Sequence, residues 1–191
     1  MRFQWVWIFW LSYAAWGCLE FWVFNRDRRT AKGVRADRSS IWFLIFMIVA
    51  GLFAAFTAFF QVQAARITVF RFPIFLSGIG LMWAGMALRL WAINTLGKFF
   101  RTTVMLQDSH ELVTTGPYQI LRHPAYTGSA LTLLGIGVAL GNWLSIGILL
   151  VMPLVGYGYR IRVEEQALSA RFGAAYDSFA RDRWRLLPFL Y

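Results

Sequence analysis

Residues 41–60 read IWFLIFMIVAGLFAAFTAFF, a run of 20 residues without a charged side chain. A helix needs about 20 apolar residues to cross the hydrocarbon core of a bilayer, because each residue advances the helix by only about 1.5 Å. A helix also satisfies its own backbone hydrogen bonds, which lipid cannot do. The segment from Ile41 to Phe60 therefore predicts a transmembrane helix.

Apolar runs on both sides of this segment predict further spans. They extend from about Phe3 to Phe24, from Pro73 to Leu96, from Pro124 to Leu140 and from Trp143 to Tyr159. The first run is longer than the apolar region of a signal peptide, so we expect it to be retained. The sequence thus predicts an all-α integral membrane protein with about five transmembrane helices. It forms one domain over 1–191, with two N-terminal spans in 1–72 and the remaining spans in 73–191.

The composition favours a membrane and argues against nucleic acid as a partner. Of the 191 residues, 59% are hydrophobic and 15% are charged, whereas soluble domains have about 45–50% and about 25%. The net charge is +10, but the basic residues lie between the apolar runs and not in one patch. We therefore interpret them as determinants of membrane orientation, with membrane lipids as the surrounding partner. Cys18 is the only cysteine, and no spacing offers three metal ligands, so no metal site is predicted.

The distribution of Lys and Arg predicts which side faces the cytoplasm. If the N-terminus lies outside, the inner segments hold 15 Lys and Arg residues and the outer segments hold three. Cytoplasmic loops carry an excess of these residues. The polar loop 97–123 and the C-terminal tail should therefore both face the cytoplasm, and in a prokaryotic cell the membrane would be the inner or plasma membrane. The tail from Glu164 to Arg181 has apolar residues three and four apart, which predicts an amphipathic helix at the interface.

Polar residues on this face indicate a binding site for a charged small molecule. Pro124 suits the first turn of a helix and His123 lies near its cap, so the helix start should offer free N–H groups to an anionic group. Arg160 and Glu164 are four residues apart, which places them on one face of a helix. Together they could hold a zwitterion or an anionic substrate.

Each of these features also has a plain structural interpretation. A His-Pro pair marks many helix starts, and an Arg/Glu pair is often a solvated ion pair. Gly78 and Gly80 are interpreted as helix-packing residues. Glu20 and Arg89 lie within spans, where charged groups are candidates for function. We expect Glu20 to reach the cytoplasmic interface, and no partner is assigned to Arg89.

Four ordered motifs resemble the isoprenylcysteine carboxyl methyltransferase family. They are HELVTTGPY at 110–118, RHPAYTG at 122–128, R-x-x-x-E-E at 160–165, and Phe172-Gly173 with Tyr176 and Leu187-Pro188-Phe189. The resemblance runs from about Gly80 to the end. It implies a helical membrane methyltransferase with its catalytic core in 73–191. It also implies that S-adenosyl-L-methionine is the cofactor and that no metal is needed.

The same resemblance implies roles for individual residues. Those implied to bind the cofactor are His110, Glu111, Leu112, Val113, Tyr118, His123, Pro124, Ala125, Tyr126 and Glu164. Arg160 is implied to face the carboxylate that is methylated, and Arg160 and Glu164 form the catalytic pair. A further cofactor contact before the loop could be Gln107 or Thr103.

The sequence leaves the methyl acceptor open. The first alternative is a lipophilic small molecule or lipidated substrate methylated on a carboxylate. The second is N-methylation of a phospholipid or amine, because phospholipid methyltransferases share a G-x-G and an E-E pair that Gly78/Gly80 and Glu164/Glu165 could match. Glu164 or Glu165 would then be a candidate base. A third, of another class, is a non-enzymatic transporter subunit or scaffold. No pattern in the sequence specifies an oligomeric state.

Overall fold

The structure, a computed structural model, describes residues 3–30, 34–37, 39–100, 104–106 and 112–187. The helices in this part of the chain are α1 (Phe3–Thr30), α2 (Ser39–Gln61), α3 (Arg71–Leu96), α4 (Pro124–Leu140), α5 (Trp143–Phe172) and α6 (Ala174–Arg181). Short 3-10 turns lie at Gln63–Ala65, Gly97–Phe99 and Gly116–Gln119. Strands β1 (Val34–Asp37) and β2 (Val104–Leu106) form a small antiparallel ribbon.

The five predicted spans are all helices, and the all-α membrane fold is confirmed. Helices α1, α2, α3 and α5 are long and apolar enough to cross a membrane, whereas α4, with 17 residues, is shorter. At about 1.5 Å per residue α4 is about 25 Å long, slightly less than a hydrocarbon core of about 30 Å. Most of its residues are buried, because it packs between α3 and α5.

Glycines set the close contact between α3 and α4. A Cβ added to Gly128 would lie 2.6 Å from the backbone nitrogen of Arg89, and one added to Gly135 would lie 2.6 Å from that of Met82. These two glycines of α4 therefore pack against the backbone of α3. Gly78 packs against Ala139, as the helix-packing interpretation predicts, but nothing lies within 4 Å of a Cβ at Gly80.

Asn142 anchors the end of the molecule opposite the predicted site. Its side-chain oxygen accepts hydrogen bonds from the amides of Leu144 (3.0 Å) and Ser145 (3.1 Å), which caps α5. Its amide group donates to the carbonyl of Val62 at the end of α2 (3.1 Å). The end of α2 and the start of α5 thus lie together, which fixes the antiparallel pairing of these two helices.

The amphipathic helix predicted from Glu164 to Arg181 is not a separate element. Helix α5 continues through Glu164 and ends at Phe172, because neither Gly nor Pro interrupts residues 159–172. Gly173 then adopts a positive φ of 53°, a conformation that suits glycine. The short α6 follows, and its residues Tyr176 and Phe179 are buried.

The β-ribbon joins two loops that the sequence assigns to the same side. Val34 in the loop after α1 pairs with Leu106 in the loop after α3. Neither strand was predicted, because each is too short to show a period-two pattern. The pairing agrees with the expectation that both loops face the same side of the membrane.

Candidate active site at the start of α4

Helix α4 begins as the sequence predicts. Pro124 is its first residue and His123 occupies the cap position. The carbonyl of His123 accepts hydrogen bonds from the amides of Tyr126 (3.0 Å) and Thr127 (3.1 Å). These two amides are therefore already used, and the helix start offers fewer free N–H groups to an anion than we expected.

The hydroxyl of Tyr126 links Arg160 and Glu164. It donates a hydrogen bond to Glu164 Oε2 at 2.7 Å and accepts one from Arg160 Nε at 3.4 Å. The predicted shared face of Arg160 and Glu164 is thus confirmed. A cation and an anion, one helical turn apart on α5, meet the first turn of α4 at one hydroxyl group.

Arg160 is among the most deeply buried side chains of the described residues. It is only 1% exposed, and its Nη1 donates to Ser40 Oγ at 2.6 Å. Ser40 lies at the start of α2 and is fully buried. Removing a guanidinium from water costs several kcal/mol, roughly, unless partners compensate it. A cation at this depth is suited to hold an anionic group of a ligand.

Aromatic rings fix the position of Tyr126. Its ring stacks with that of His123 at a centroid distance of 5.7 Å and with that of Tyr157 at 5.3 Å. Stacked pairs of this kind add about 0.5–1.5 kcal/mol beyond the area they bury. The stacked rings of His123 and Tyr157 therefore hold in place the hydroxyl group that joins Arg160 to Glu164.

The two neighbouring carboxylates have different partners. Glu165 lies 2.7 Å from Arg122 Nη1, 3.0 Å from Arg185 Nη2 and 3.3 Å from His123 Nε2. Glu164 instead accepts from the neutral hydroxyl of Tyr126. Arg122, Arg185 and His123 all contact the Glu165 carboxylate, which indicates a structural role for Glu165. Glu164 is therefore the better candidate to bind a positively charged ligand.

The C-terminal clamp, residues 183–186, runs alongside the R-H-P motif. The amide of Arg122 donates to the carbonyl of Trp184 (2.7 Å), and that of His123 donates to the carbonyl of Arg185 (3.1 Å). The hydroxyl of Thr127 donates to the carbonyl of Leu186 (2.7 Å). The residues that directly precede the last predicted motif therefore bind the helix start through their carbonyls. Within that motif, Pro188 and Phe189 lie outside the described residues.

Tyr118 lies in an apolar layer next to this site. It is buried in the 3-10 turn Gly116–Gln119 and packs with Ala92 and Ala125, and Val113 lies against the same cluster. Burial, reinforced by the nearby carboxylate of Glu164, raises the pKa of Tyr118 well above its usual value. The phenol therefore stays neutral at physiological pH. Arg183 Nε donates to its carbonyl at 2.8 Å, which ties the turn to the C-terminal clamp.

The structure brings most of the predicted site residues together. His123, Pro124, Tyr126, Arg160 and Glu164 meet where α4 begins and α5 leaves the helical bundle, and Val113, Tyr118 and Ala125 form the adjoining layer. Leu112 is half-buried at the edge of this region. The predicted residues His110, Glu111, Gln107 and Thr103 lie outside the described residues.

Sequence reasoning missed three contributors to this region. It left out Glu20 as an interfacial residue and gave Arg89 no partner, yet Glu20 Oε2 lies 2.8 Å from Arg89 Nη2. Arg89 Nη1 also donates to the carbonyl of Ala125 at 3.1 Å. The sequence did not indicate Ser40. The one available signal was the presence of opposite charges in two spans, which a search for intramembrane pairs would have found.

A family model covers the part of the chain that forms this site. Residues 73–175 match the model described as phospholipid methyltransferase. This range includes α4, α5 and all but the first two residues of α3, and it excludes α1 and α2.

Curated relatives and a solved structure give a consistent result. A probable protein-S-isoprenylcysteine O-methyltransferase of Oryza sativa subsp. indica is 32% identical over 120 residues, which are 61% of this chain and 63% of that protein. Protein-S-isoprenylcysteine O-methyltransferase B of Arabidopsis thaliana is 34% identical over 115 residues, covering 59% and 58% of the two chains. The chain thus matches less than two thirds of the length of these relatives.

The solved structure is that of a eukaryotic intramembrane Ras methyltransferase, an isoprenylcysteine carboxyl methyltransferase. It superposes with a TM-score of 0.64 at 27% sequence identity, over 74% of this chain and 52% of that one. The similarity supports the helical membrane fold described above.

Proposed function

The chain belongs to the phospholipid methyltransferase family, and from this premise and the site geometry we propose that it transfers a methyl group from S-adenosyl-L-methionine to the carboxylate of a lipophilic substrate. The observation that carries the proposal is the buried Arg160, held by Ser40 and joined through Tyr126 to Glu164. The similarity to isoprenylcysteine methyltransferases favours O-methylation and a prenylated cysteine as the first acceptor to test.

The residues at the start of α4 fit the proposed cofactor. S-adenosyl-L-methionine supplies an electrophilic methyl group on a positively charged sulfur. Glu164 offers a carboxylate whose described partner is a neutral hydroxyl, so it can compensate positive charge on the cofactor. Tyr126 binds Glu164 through its hydroxyl, and His123 stacks on the Tyr126 ring. We propose that these residues, with Tyr118 and the predicted loop residues, hold the cofactor.

Arg160 would hold and orient the acceptor. Its guanidinium is buried between α2 and α5, so a carboxylate could reach it with little competition from water. A carboxylate oxygen would form the new bond to the methyl carbon as the methyl–sulfur bond breaks. Both opposite charges would be neutralised, and no proton would move. Alignment then supplies most of the catalysis, and such positioning can contribute up to about 7–11 kcal/mol.

The two reactants would reach the site from different sides. Helices α2 and α5 expose apolar side chains along the spans, such as Phe46, Phe53 and Val151, which suits entry of a lipophilic acceptor from the bilayer. The predicted cytoplasmic orientation of the α4 start would give the soluble cofactor access from the cell interior.

N-methylation is the second candidate, because the matching family model is that of phospholipid methyltransferases. An amine acceptor must lose a proton, which requires a base. Glu165 is engaged by Arg122, His123 and Arg185, so Glu164 is the base that this reaction would need. The buried cation at Arg160 repels a protonated amine and therefore favours the carboxylate acceptor.

A methyl-transfer assay with matched acceptors tests the proposal. Purified protein in detergent is incubated with methyl-labelled S-adenosyl-L-methionine and one acceptor at a time. The acceptors are an S-prenylated cysteine with a free carboxylate, the same compound with that carboxylate blocked as an amide, phosphatidylethanolamine, and total membrane lipids. We expect label only in the first, released as methanol by base because it is an ester. Transfer to phosphatidylethanolamine, stable to base, would instead support N-methylation. No transfer to any acceptor, and none to total membrane lipids, would contradict the proposal.

A further inference from the structure

Glu20 and Arg89 form an ion pair within the spanning helices, and the proposed reaction uses neither of them. Arg89 Nη2 lies 2.8 Å from Glu20 Oε2, and the two side chains are 11% and 32% exposed. Both residues lie in helices long and apolar enough to cross the membrane. Charged groups are costly there, so a pair of this kind is a candidate for function.

A second contact connects this pair to the active site. Arg89 Nη1 donates to the carbonyl of Ala125 at 3.1 Å. Ala125 is the second residue of α4 and directly precedes Tyr126. Gly128, which lacks a side chain, lets the first turn of α4 approach the backbone of Arg89. The guanidinium of Arg89 thus bonds α1 with one nitrogen and the first turn of α4 with another.

We propose that Arg89 is a positioning residue that holds the first turn of α4 for cofactor binding, and that Glu20 holds the Arg89 guanidinium in place. The inference rests on the proposed function. Displacement of the Ala125 carbonyl would displace Tyr126, whose hydroxyl bridges Arg160 and Glu164. Through Glu20 the site extends to α1, which lies outside the residues that the family model matches.

A charge exchange separates positioning from simple helix pairing. In the double variant E20R/R89E the ion pair between α1 and α3 can form again, but a carboxylate at position 89 cannot donate to the Ala125 carbonyl. We expect this variant to keep the thermal unfolding midpoint of the wild type, measured without ligand. We also expect its affinity for S-adenosylhomocysteine, measured by calorimetry, to fall about tenfold.

A matched control uses another bond between the same helices. Trp83 Nε1 of α3 donates to Ser12 Oγ of α1 at 3.1 Å, a bond that does not involve α4. Ser12→Ala should leave the affinity for S-adenosylhomocysteine unchanged. If it lowers the affinity as much as the charge exchange does, general loosening of α1 explains the effect and the inference is overturned.

A second pair of variants covers the case in which the charge exchange does not fold. In an E20Q background, which removes the ion pair, R89K keeps a donor for the Ala125 carbonyl and R89M removes it at similar length. We expect E20Q/R89K to bind S-adenosylhomocysteine more tightly than E20Q/R89M, and equal affinities would overturn the inference.

If the wild type itself does not bind, the proposed function fails, and the inference falls with it. If the wild type binds and E20R/R89E matches it, only the inference fails.

Discussion

The proposed chemistry of the site depends on a few buried polar residues with defined partners. Arg160 is held by Ser40 and Tyr126, and Glu164 accepts from Tyr126. The neighbouring Glu165 forms ion pairs with Arg122 and Arg185. Of these two adjacent acids, Glu164 is therefore the candidate functional residue and Glu165 the structural one. At this scale, loss of a single group should change binding or turnover without a general loss of the fold.

Arg160→Ala should abolish most methyl transfer and leave cofactor binding largely intact. The reason is that Arg160 is proposed to hold the acceptor, and removal of one positioned donor typically lowers turnover by about 100-fold or more. Arg162→Ala, on an exposed position of the same helix, is the control and should behave as the wild type. Kinetics with a prenylated cysteine and calorimetry with S-adenosylhomocysteine measure the two effects. Lost cofactor binding with Arg160→Ala would move this residue to the cofactor site.

Tyr126→Phe should weaken cofactor binding about tenfold, a loss of about 1.4 kcal/mol. The substitution keeps the stacked ring but removes the hydroxyl that fixes the Glu164 carboxylate next to Arg160. Tyr159→Phe removes a hydroxyl from an exposed tyrosine on α5 and serves as the control. Equal affinities of the two variants for S-adenosylhomocysteine would remove the Tyr126 hydroxyl from the proposed cofactor site.

At the scale of elements, the contact between α3 and α4 places the site. Helix α4 is buried between its neighbours and carries the R-H-P motif at its first turn, while the C-terminal clamp pairs with the backbone just before it. The glycines of α3 and α4 determine how closely the helices approach, and Arg89 reaches the α4 start because of that approach.

Gly128→Leu should destabilise the protein by about 3 kcal/mol, at the upper end of the cost of overpacking a core. The new side chain would meet the backbone of Arg89 and push α4 away from α3. Gly80→Leu is the control, because nothing lies within 4 Å of a Cβ there, and its effect should stay within about 0.5 kcal/mol. Denaturation in detergent measures both. A stable Gly128→Leu protein would contradict the packing described here.

The helices were predictable from sequence, but several contacts of the site were not. Apolar runs are local signals, so all five apolar helices and the start of α4 at Pro124 were predicted correctly, although α4 is shorter than the other four. The end of α5 was wrong, because helix-forming residues continue past the apolar run to Gly173. The bond between Arg160 and Ser40 joins residues 120 positions apart, and no local pattern in one sequence indicates such a contact. The pairing of Arg89 with Glu20 is of the same kind.

At the scale of the whole molecule, the two ends of the bundle have different roles. Asn142 binds the α2 terminus at one end, whereas the α4 start, the end of α5 and the C-terminal clamp gather at the other. Residues of α1 and α2, outside the range matched by the family model, contribute Glu20 and Ser40 to that second end. The N-terminal helices would therefore complete the proposed site.

Cysteine labelling tests the predicted orientation. In a Cys18→Ala background, Asp182→Cys reports on the site end and Gln63→Cys on the opposite end; both positions are exposed. An impermeant maleimide should modify the first only in inside-out vesicles and the second only in right-side-out vesicles, because Lys and Arg concentrate on the site side. The reverse pattern would place the site outside the cytoplasm.

The proposed function requires a methyl donor that binds where α4 begins and α5 leaves the bundle, and calorimetry with S-adenosylhomocysteine tests this most directly. Folded wild-type protein in detergent should give saturable heat with one site per chain, and the Glu164→Gln variant should give a clearly weaker affinity. Folded protein that gives no heat with either S-adenosylmethionine or S-adenosylhomocysteine would contradict the account.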